Sequence, residues 1–395
     1  MRIGVDATCW GQRRGYGRHL RALLSAAAGL DRRHQYVLFF DSEPPTEAPA
    51  GAQAVRVQTS EPTLAAARSD GHRRLADLWA MSRAMSSPEL DCLLFPTLYS
   101  YVPVWSRAYK IVVIHDVIPE RYPQWIFRTA AARLNWKMKS LAARRQADLI
   151  LTVSEYSRRQ LLEYFGESPG RVRVVGEAGD PVFRVIDRQP LPERLEKLGL
   201  GGTGSLLVFV GGFDRHKNLH ALLDAFAAVL ERPGLADTRL ALVGDYEAVT
   251  YQSCFGEVRD RMGRPPLAGK VIATGYLPDQ ELVVLLNAAT ALVLPSLLEG
   301  FGLPAFEAAA CGLPVVATTA SPVPELLGPE GGLWVDPRDT AALGQALERI
   351  LSDAALRGQL GENGRAAAAR LSWESAAGQL LEVFDAIPSR HAQAA

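Results

Sequence analysis

The chain has 395 residues, 48% of them hydrophobic and 22% charged, which is the make-up of a soluble globular protein of two or three domains. Formal net charge is zero, yet residues 1–185 carry 26 Lys+Arg against 18 Asp+Glu and the remainder 17 against 25. The basic half suits an anionic acceptor or surface, or is simply a solvated Arg-rich face. Cys9, Cys92, Cys254 and Cys311 have neither pairing nor metal spacing, so no disulfide or zinc framework is expected and a reducing cytoplasm fits.

The opening MRIGVDATCW reads as a strand and loop rather than a secretory signal. From there short apolar runs alternate with helical patterns, the mark of parallel sheets in an α/β fold. In the first half, strands are expected at Arg2–Ala7, Tyr36–Phe40, Ala54–Val57, Cys92–Phe95, Ile111–Ile114, Leu149–Val153 and Val172–Val175. Helices are expected at Gly17–Ala28, Thr63–Met85, Arg128–Ala147 and Glu155–Phe165. A Pro-, Gly- and charge-rich stretch, Arg184–Gly204, separates this series from a second one. There the strands are Leu206–Val210, Leu240–Val243, Val271–Ala273, Ala291–Leu294, Val315–Thr318 and Gly332–Val335. The helices are Leu219–Leu230, Asp279–Asn287, Ala305–Cys311, Thr340–Leu351 and Ala354–Leu371. A last helix, Ser372–Ala386, has Ser as its cap and an apolar stripe of Trp373, Ala377, Leu380, Leu381 and Phe384. No run of about 18 apolar residues exists, so no spanning helix is expected; peripheral membrane contact stays open. The basic helix Arg128–Arg145 reads as an ordinary amphipathic surface helix or as one that meets anionic lipid or a charged acceptor.

Five segments carry the chemistry. Gly11–Arg18 follows the first strand and opens a helix; such a turn lets a ligand approach closely at Gly15 and Gly17, or is a plain helix start. It is not G-x-G-x-x-G, and no acid ends the second strand, which disfavours a dinucleotide. The strand Ile111–Ile114 delivers His115 to its carboxyl end, where open α/β sheets bind ligands; a satisfied buried His is the plainer alternative. Asp116 either forms the turn or orients His115. Next comes GGFDRHKN, in which Lys217 lies near a helix start beside Gly211 and Gly212, well placed to neutralise a diphosphate. Arg215 and His216 are as well read as surface charges. The fourth, Ala273–Asp279, ends a strand with Tyr276 in its turn. The fifth, PSLLEGFGLPAFEAAACG, holds Glu299 and Glu307 around the turn Gly300-Phe301-Gly302-Leu303-Pro304. A strand–glycine turn–helix unit aims bare N–H groups at one point, which suits an anionic or sugar-phosphate ligand. Pro304 is expected at the first helical position, Glu307 in the first turn and Gly312 just past the end. A Glu in a first turn is favoured by the helix dipole without any ligand, whereas no local structure needs a carboxylate at position 299.

The spacing E-x7-E around GFGLPxxEA resembles the signature of retaining nucleotide-sugar glycosyltransferases of family 4, the group 1 transferases. The resemblance implies the GT-B fold, two Rossmann-like domains with parallel sheets facing across a cleft. It gives residues 1–184 as the acceptor-side domain, 205–371 as the nucleotide-sugar domain, and 372–395 as a helix crossing back to the first. It implies that Gly15 and Gly17 line the donor phosphate and acceptor, that His115 contacts the donor sugar, and that Lys217 holds the phosphates. Many members have an Arg where this chain has Gly212, and Arg215 is the nearest cation to replace it. Tyr276 stacks on the base or packs. Glu299 hydrogen-bonds sugar hydroxyls, Glu307 grips the ribose diol, and Gly300, Phe301, Gly302 and Leu303 present backbone to the donor.

With no D-x-D in the chain, the implied reaction is metal-independent. It is retaining transfer of a hexose from a nucleotide-diphosphate sugar, on GDP or UDP, to a glycan, lipid-linked or small-molecule acceptor. No cofactor beyond the donor and no nucleic acid is implied. Rivals are a nucleotide-sugar-binding protein without transfer activity and a GT-B epimerase or phosphorylase, although no pyridoxal-phosphate lysine block is present. Lys217→Ala and Glu299→Ala are each expected to cut turnover by about two orders of magnitude with the fold intact.

Overall fold

The computed structural model describes residues 1–12, 15–45, 48–49, 51–63, 73–187, 189–202, 204–246 and 252–388. Arg13 and Arg14 of the first glycine-rich turn, most of the first third of the helix expected from Thr63, and the tail from His391 lie outside the described residues. The chain divides into two compact units, Met1–Glu177 with Ser372–Ala395, and Ala178–Leu371.

Unit one is built on β1 (Arg2–Asp6), β2 (Gln35–Phe40), β3 (Gln53–Arg56), β4 (Cys92–Phe95), β5 (Tyr109–Val113), β6 (Leu149–Thr152) and β7 (Val172–Val174). They form one sheet in the order β3-β2-β1-β4-β5-β6-β7, and every pairing is parallel. Parallel strands are covered on both faces, so they read as unbroken apolar runs such as CLLF and LILT. The main helices are α1 (Gly15–Leu30), α2 (Leu75–Met85), α3 (Ala130–Gln146) and α4 (Glu155–Phe165). Ser154 caps α4 by accepting from Ser157 N, and Gly166 ends it in the left-handed conformation.

Unit two is a six-stranded parallel sheet, β10-β9-β8-β11-β12-β13. Its strands are β8 (Leu206–Val210), β9 (Arg239–Val243), β10 (Val271–Gly275), β11 (Ala291–Leu294), β12 (Val315–Thr318) and β13 (Leu333–Val335). Its longer helices are α5 (Leu219–Leu230), α6 (Phe255–Met262), α7 (Asp279–Ala288), α8 (Leu303–Ala310), α9 (Thr340–Ser352) and α10 (Ala354–Ala368). One core joins the inward faces of β8, β9 and β11 to α5 and α9, through Phe209, Phe226, Leu242, Val293 and Leu347 among others. The segment after Ala178 is already tied to this unit: Ile186 N donates to Asn287 Oδ1, and Asn287 Nδ2 donates to Arg184 O. The chain then returns to unit one as α11 (Trp373–Asp385), capped by Ser372, which packs on α1 and buries Trp373, Leu380 and Phe384.

In both sheets the order of strands reverses beside the first strand of the unit, at β1/β4 and at β8/β11. The loops leaving the carboxyl ends of those strands therefore splay apart and leave room for a ligand.

Candidate active site

In unit two the loops after β8 and β11 are joined by Asn218. This residue alone among the described non-glycine residues has positive φ, at 58°. It turns the single 3₁₀ turn Arg215–Lys217 into α5. Its Nδ2 donates to Pro295 O at 3.1 Å and to Pro337 O at 2.9 Å, and Leu297 N donates to His216 O. The clamp sets Lys217 against Glu299. Lys217 Nζ and Ser296 Oγ each donate to Glu299 Oε1 at 2.6 Å, and Glu299 N donates to Ala320 O. Glu299 is only 7% exposed. Burial works to raise its pKa, but the Lys217 charge and the hydrogen bonds overcome that and hold the carboxyl below its usual range. Burial and the Lys217 charge push neighbouring His216 down to about 3, so its ring is neutral.

The turn after Glu299 is as tight as its glycines suggest. Gly302 has φ 89°, and a Cβ there would lie 2.9 Å from Val323 Cγ2. The helix begins one residue ahead of Pro304, at Leu303, so Pro304 is second rather than first; its missing N–H still falls in the turn that lacks intrahelical acceptors. Glu307 therefore lies in the second turn, not the first, because the helix starts two residues earlier than the alanine run suggests. The dipole explanation for Glu307 weakens accordingly, since that effect is confined to the first turn. Glu307 is 2% exposed and sits against Gly179, where a Cβ would meet its Cγ at 3.4 Å. Gly312 ends the helix at φ 72°.

Other expected residues of this unit stand as follows. Gly300 is buried in the turn, and Phe301 is a core side chain whose ring lies 4.7 Å from that of Phe306, tilted by 39°. Gly212 is half-buried between β8 and the 3₁₀ turn. Arg215 is held by the Glu257 carboxylate on α6, so it is not poised over the Lys217–Glu299 pair. Tyr276, 40% exposed beyond β10, does not pack into the core.

In unit one Gly17 is fixed by close approach: a Cβ there would fall 2.3 Å from Gln12 O and 2.4 Å from Cys9 O. Gly15 is exposed and has open space around it. His115 lies two residues beyond β5. Its Nε2 is 3.0 Å from Pro96 O, which can only accept, so Nε2 carries hydrogen. Its Nδ1 is 3.4 Å from Glu177 Oε1. The acid beside His115 is thus Glu177, while Asp116 accepts from Ile118 N and makes the turn. Burial lowers the His115 pKa, but Glu177 and the Pro96 carbonyl outweigh it and the net direction is upward. His19 on α1 completes the group, its ring 4.9 Å from that of His115; burial pushes it down to about 4.

Comparison with known proteins gives the family. The sequence profile described as Glycosyltransferase Family 4 matches residues 13–180, and that of Glycosyl transferases group 1 matches residues 192–367. The O-antigen chain mannosyltransferase B of Escherichia coli is 30% identical over 281 residues, which make up 69% of each chain. The chain belongs to the group 1 glycosyltransferases. Solved structures agree on the GT-B fold. Sucrose-phosphate synthase from Thermosynechococcus elongatus superposes with a TM-score of 0.76 at 21% identity, over 97% of this chain and 98% of that one. Anabaena Alr3699/HepE in complex with UDP-glucose gives 0.70 at 18% identity, over 97% and 99%.

Within this glycosyltransferase, sequence reasoning missed Ser296 and Asn218, which build the Lys217–Glu299 pair, and His19 and Glu177, which surround His115. Asn218 was visible as a turn-former between a cation and an apolar helix. Glu177 was signalled only by an acid in a short loop, GEAGD, after a strand.

Proposed function

We propose that the enzyme moves a hexose from a nucleotide-diphosphate sugar to an acceptor hydroxyl with retention of anomeric configuration and without a metal on the diphosphate. The observation that carries this reading is the Lys217–Glu299 pair beside the amino end of α8. An ammonium has three donors, so the one given to Glu299 leaves two for the diphosphate. The Glu299 carboxylate, with two donors on Oε1, keeps acceptor capacity for sugar hydroxyls. Glu307 takes the ribose diol. The backbone of Gly300, Phe301, Gly302 and Leu303, together with Gly212, receives the phosphates, and Tyr276 lies beside the base. As the anomeric bond breaks, charge grows on the leaving diphosphate, where a fixed cation and helix-end amides stabilise it most. Gly15, Gly17 and His115 are further donor contacts, His115 through the ring edge that its engaged nitrogens leave. Arg215 joins only by leaving Glu257.

The donor is GDP-mannose or a UDP-sugar; a mannosyltransferase relative and a UDP-glucose-bound structural neighbour support those two classes respectively. The acceptor is a glycan, lipid-linked or small molecule. The test is a thermal-shift screen of GDP-, UDP-, ADP- and TDP-sugars, followed by NMR of the product anomer. A donor at about 100 times its Kd should stabilise the protein by roughly 2.7 kcal/mol. The product should keep the donor's configuration, and added Mg²⁺ should leave the rate unchanged. An inverted product, or Lys217→Met binding the donor as the unaltered chain does, overturns the reading.

A further inference from the structure

His19, His115 and Glu177 form a buried knot in unit one, of which the donor reading uses only the ring edge of His115. His19 is 3% exposed, and neither of its ring nitrogens has a hydrogen-bond partner. Glu177 Oε1 lies 3.9 Å from His19 Nε2 and 3.4 Å from His115 Nδ1, and the three ligand atoms all lie within 4.8 Å of one another. Both His–Glu177 contacts are longer than a good hydrogen bond. The Pro96 carbonyl fixes the His115 hydrogen on Nε2 and turns the other nitrogen toward the carboxylate. That is the arrangement metal-ligating histidines adopt, one nitrogen held by a backbone carbonyl and the other offered to the ion.

A proton on Nδ1 would reconcile His115 with Glu177 but would leave both buried nitrogens of His19 unsatisfied, which is unfavourable away from water. A cavity of about 10 Å³ beside His19 and Thr152 has room for one water, which serves one of those nitrogens at most. A divalent ion engages His19, His115 and Glu177 at once. Bonds of about 2.0–2.1 Å to a tetrahedral ion separate neighbouring ligands by about 3.3 Å, so a side as long as 4.8 Å needs to close by about 1.5 Å.

We propose that His19, His115 and Glu177 bind a divalent transition-metal ion, zinc by the chemistry of its two-imidazole, one-carboxylate donor set. Any proton on Nδ1 leaves to solvent as the metal takes the lone pair. The ion ties α1, the loop after β5 and the loop after β7 together, with the ring of Trp373 at the start of α11 5.8 Å from that of His19 and tilted to it. The site belongs to unit one and shares only His115 with the donor reading, whose acids and cation all lie in unit two; ion uptake by the chain alone tests it apart from donor binding.

The experiment uses the untagged full-length chain, stripped with a chelator and titrated with Co²⁺ and then Zn²⁺. The expected result is about one ion per chain, a rise in Tm, and cobalt bands in the visible without the near-ultraviolet band of a thiolate ligand. His19→Ala and Glu177→Gln, each checked for folding by circular dichroism, should weaken binding by about 100-fold or more, since changes even to residues behind the ligands cost 10–100-fold. If the unaltered chain takes up no stoichiometric ion, or if both variants bind it as tightly, the knot is a proton-bridged His115–Glu177 pair and the proposal fails. A thiolate band in the cobalt spectrum has the same consequence, because no cysteine belongs to the site.

Discussion

Lys217 and Glu299 illustrate how burial changes what a single substitution reports. The ammonium is 2.6 Å from the carboxylate, and both side chains are largely withdrawn from water. Removing one partner of such a pair leaves an uncompensated charge, at a cost of about 3–5 kcal/mol. Lys217→Ala and Glu299→Ala are therefore poor tests of catalysis alone, and the expectation that the fold stays intact in them gives way. Lys217→Met should lose about 3 kcal/mol of stability as well as about two orders of magnitude in turnover. The double variant Lys217→Met/Glu299→Gln should recover most of the stability and none of the turnover, as read by urea unfolding and initial rates. The pH dependence adds a signed check. In the unaltered protein Glu299 titrates below its ordinary value of 4.5, so the stability it contributes is present above that value and is lost as pH falls through the lower folded one. In Lys217→Met the same buried carboxyl is pushed up instead, and acid favours the folded state. The stability gap between the two proteins should thus be widest at neutral pH and narrow below about pH 4.5. A gap independent of pH would show that Glu299 is not the group left stranded.

At the scale of elements, the strands were legible because a covered parallel sheet writes itself as apolar runs; LLVFV, ALVL and VVAT are strands end to end. The helix α6, FGEVRDRM, was not, because only Val258 among its residues is buried and its surface charges carry no period. The turn GFGLP was readable from its glycines, but the second half of the site was not. What brings Lys217 to Glu299 is a side chain, Asn218, bonding across 77 residues of sequence to Pro295 O, and no local pattern encodes that. Two substitutions separate its roles. Asn218→Gly keeps the left-handed turn and leaves two carbonyls without their donor, which should cost about 1–3 kcal/mol. Asn218→Ala adds the strain of a Cβ at φ 58°, about 1–2 kcal/mol more. Both should blunt the thermal shift produced by the donor, since the loops that carry Lys217 and Glu299 then lose the Asn218–Pro295 bond between them. A donor shift undiminished in Asn218→Gly would mean the clamp does not position the site.

For the whole molecule, the question is where one unit ends. Composition points to Arg184–Gly204, the stretch richest in Pro, Gly and charge, because flexible residues are the only sign of a boundary that sequence offers. Contacts place the change earlier, at Glu177/Ala178, because the segment after it is bound into unit two. Gly179 lies against Glu307, and the backbones of Arg184 and Ile186 bond to Asn287 on α7. The other end of the unit is set by Leu371, after which α11 joins α1 and Gln379 Oε1 accepts from Gly176 N. Unit two is thus an insertion in unit one, with a core of its own. A fragment of residues 178–371 should fold alone, with a single cooperative transition in urea. A fragment starting at 205 should be less stable, because it gives up the Asn287 bonds and uncovers Glu307. Each lost hydrogen bond is worth about 1 kcal/mol, and the exposed carboxylate face adds to the loss, so the difference should reach at least about 2 kcal/mol. Equal unfolding midpoints for the two fragments would return the boundary to the Pro- and Gly-rich stretch and make the segment 178–204 a passive linker.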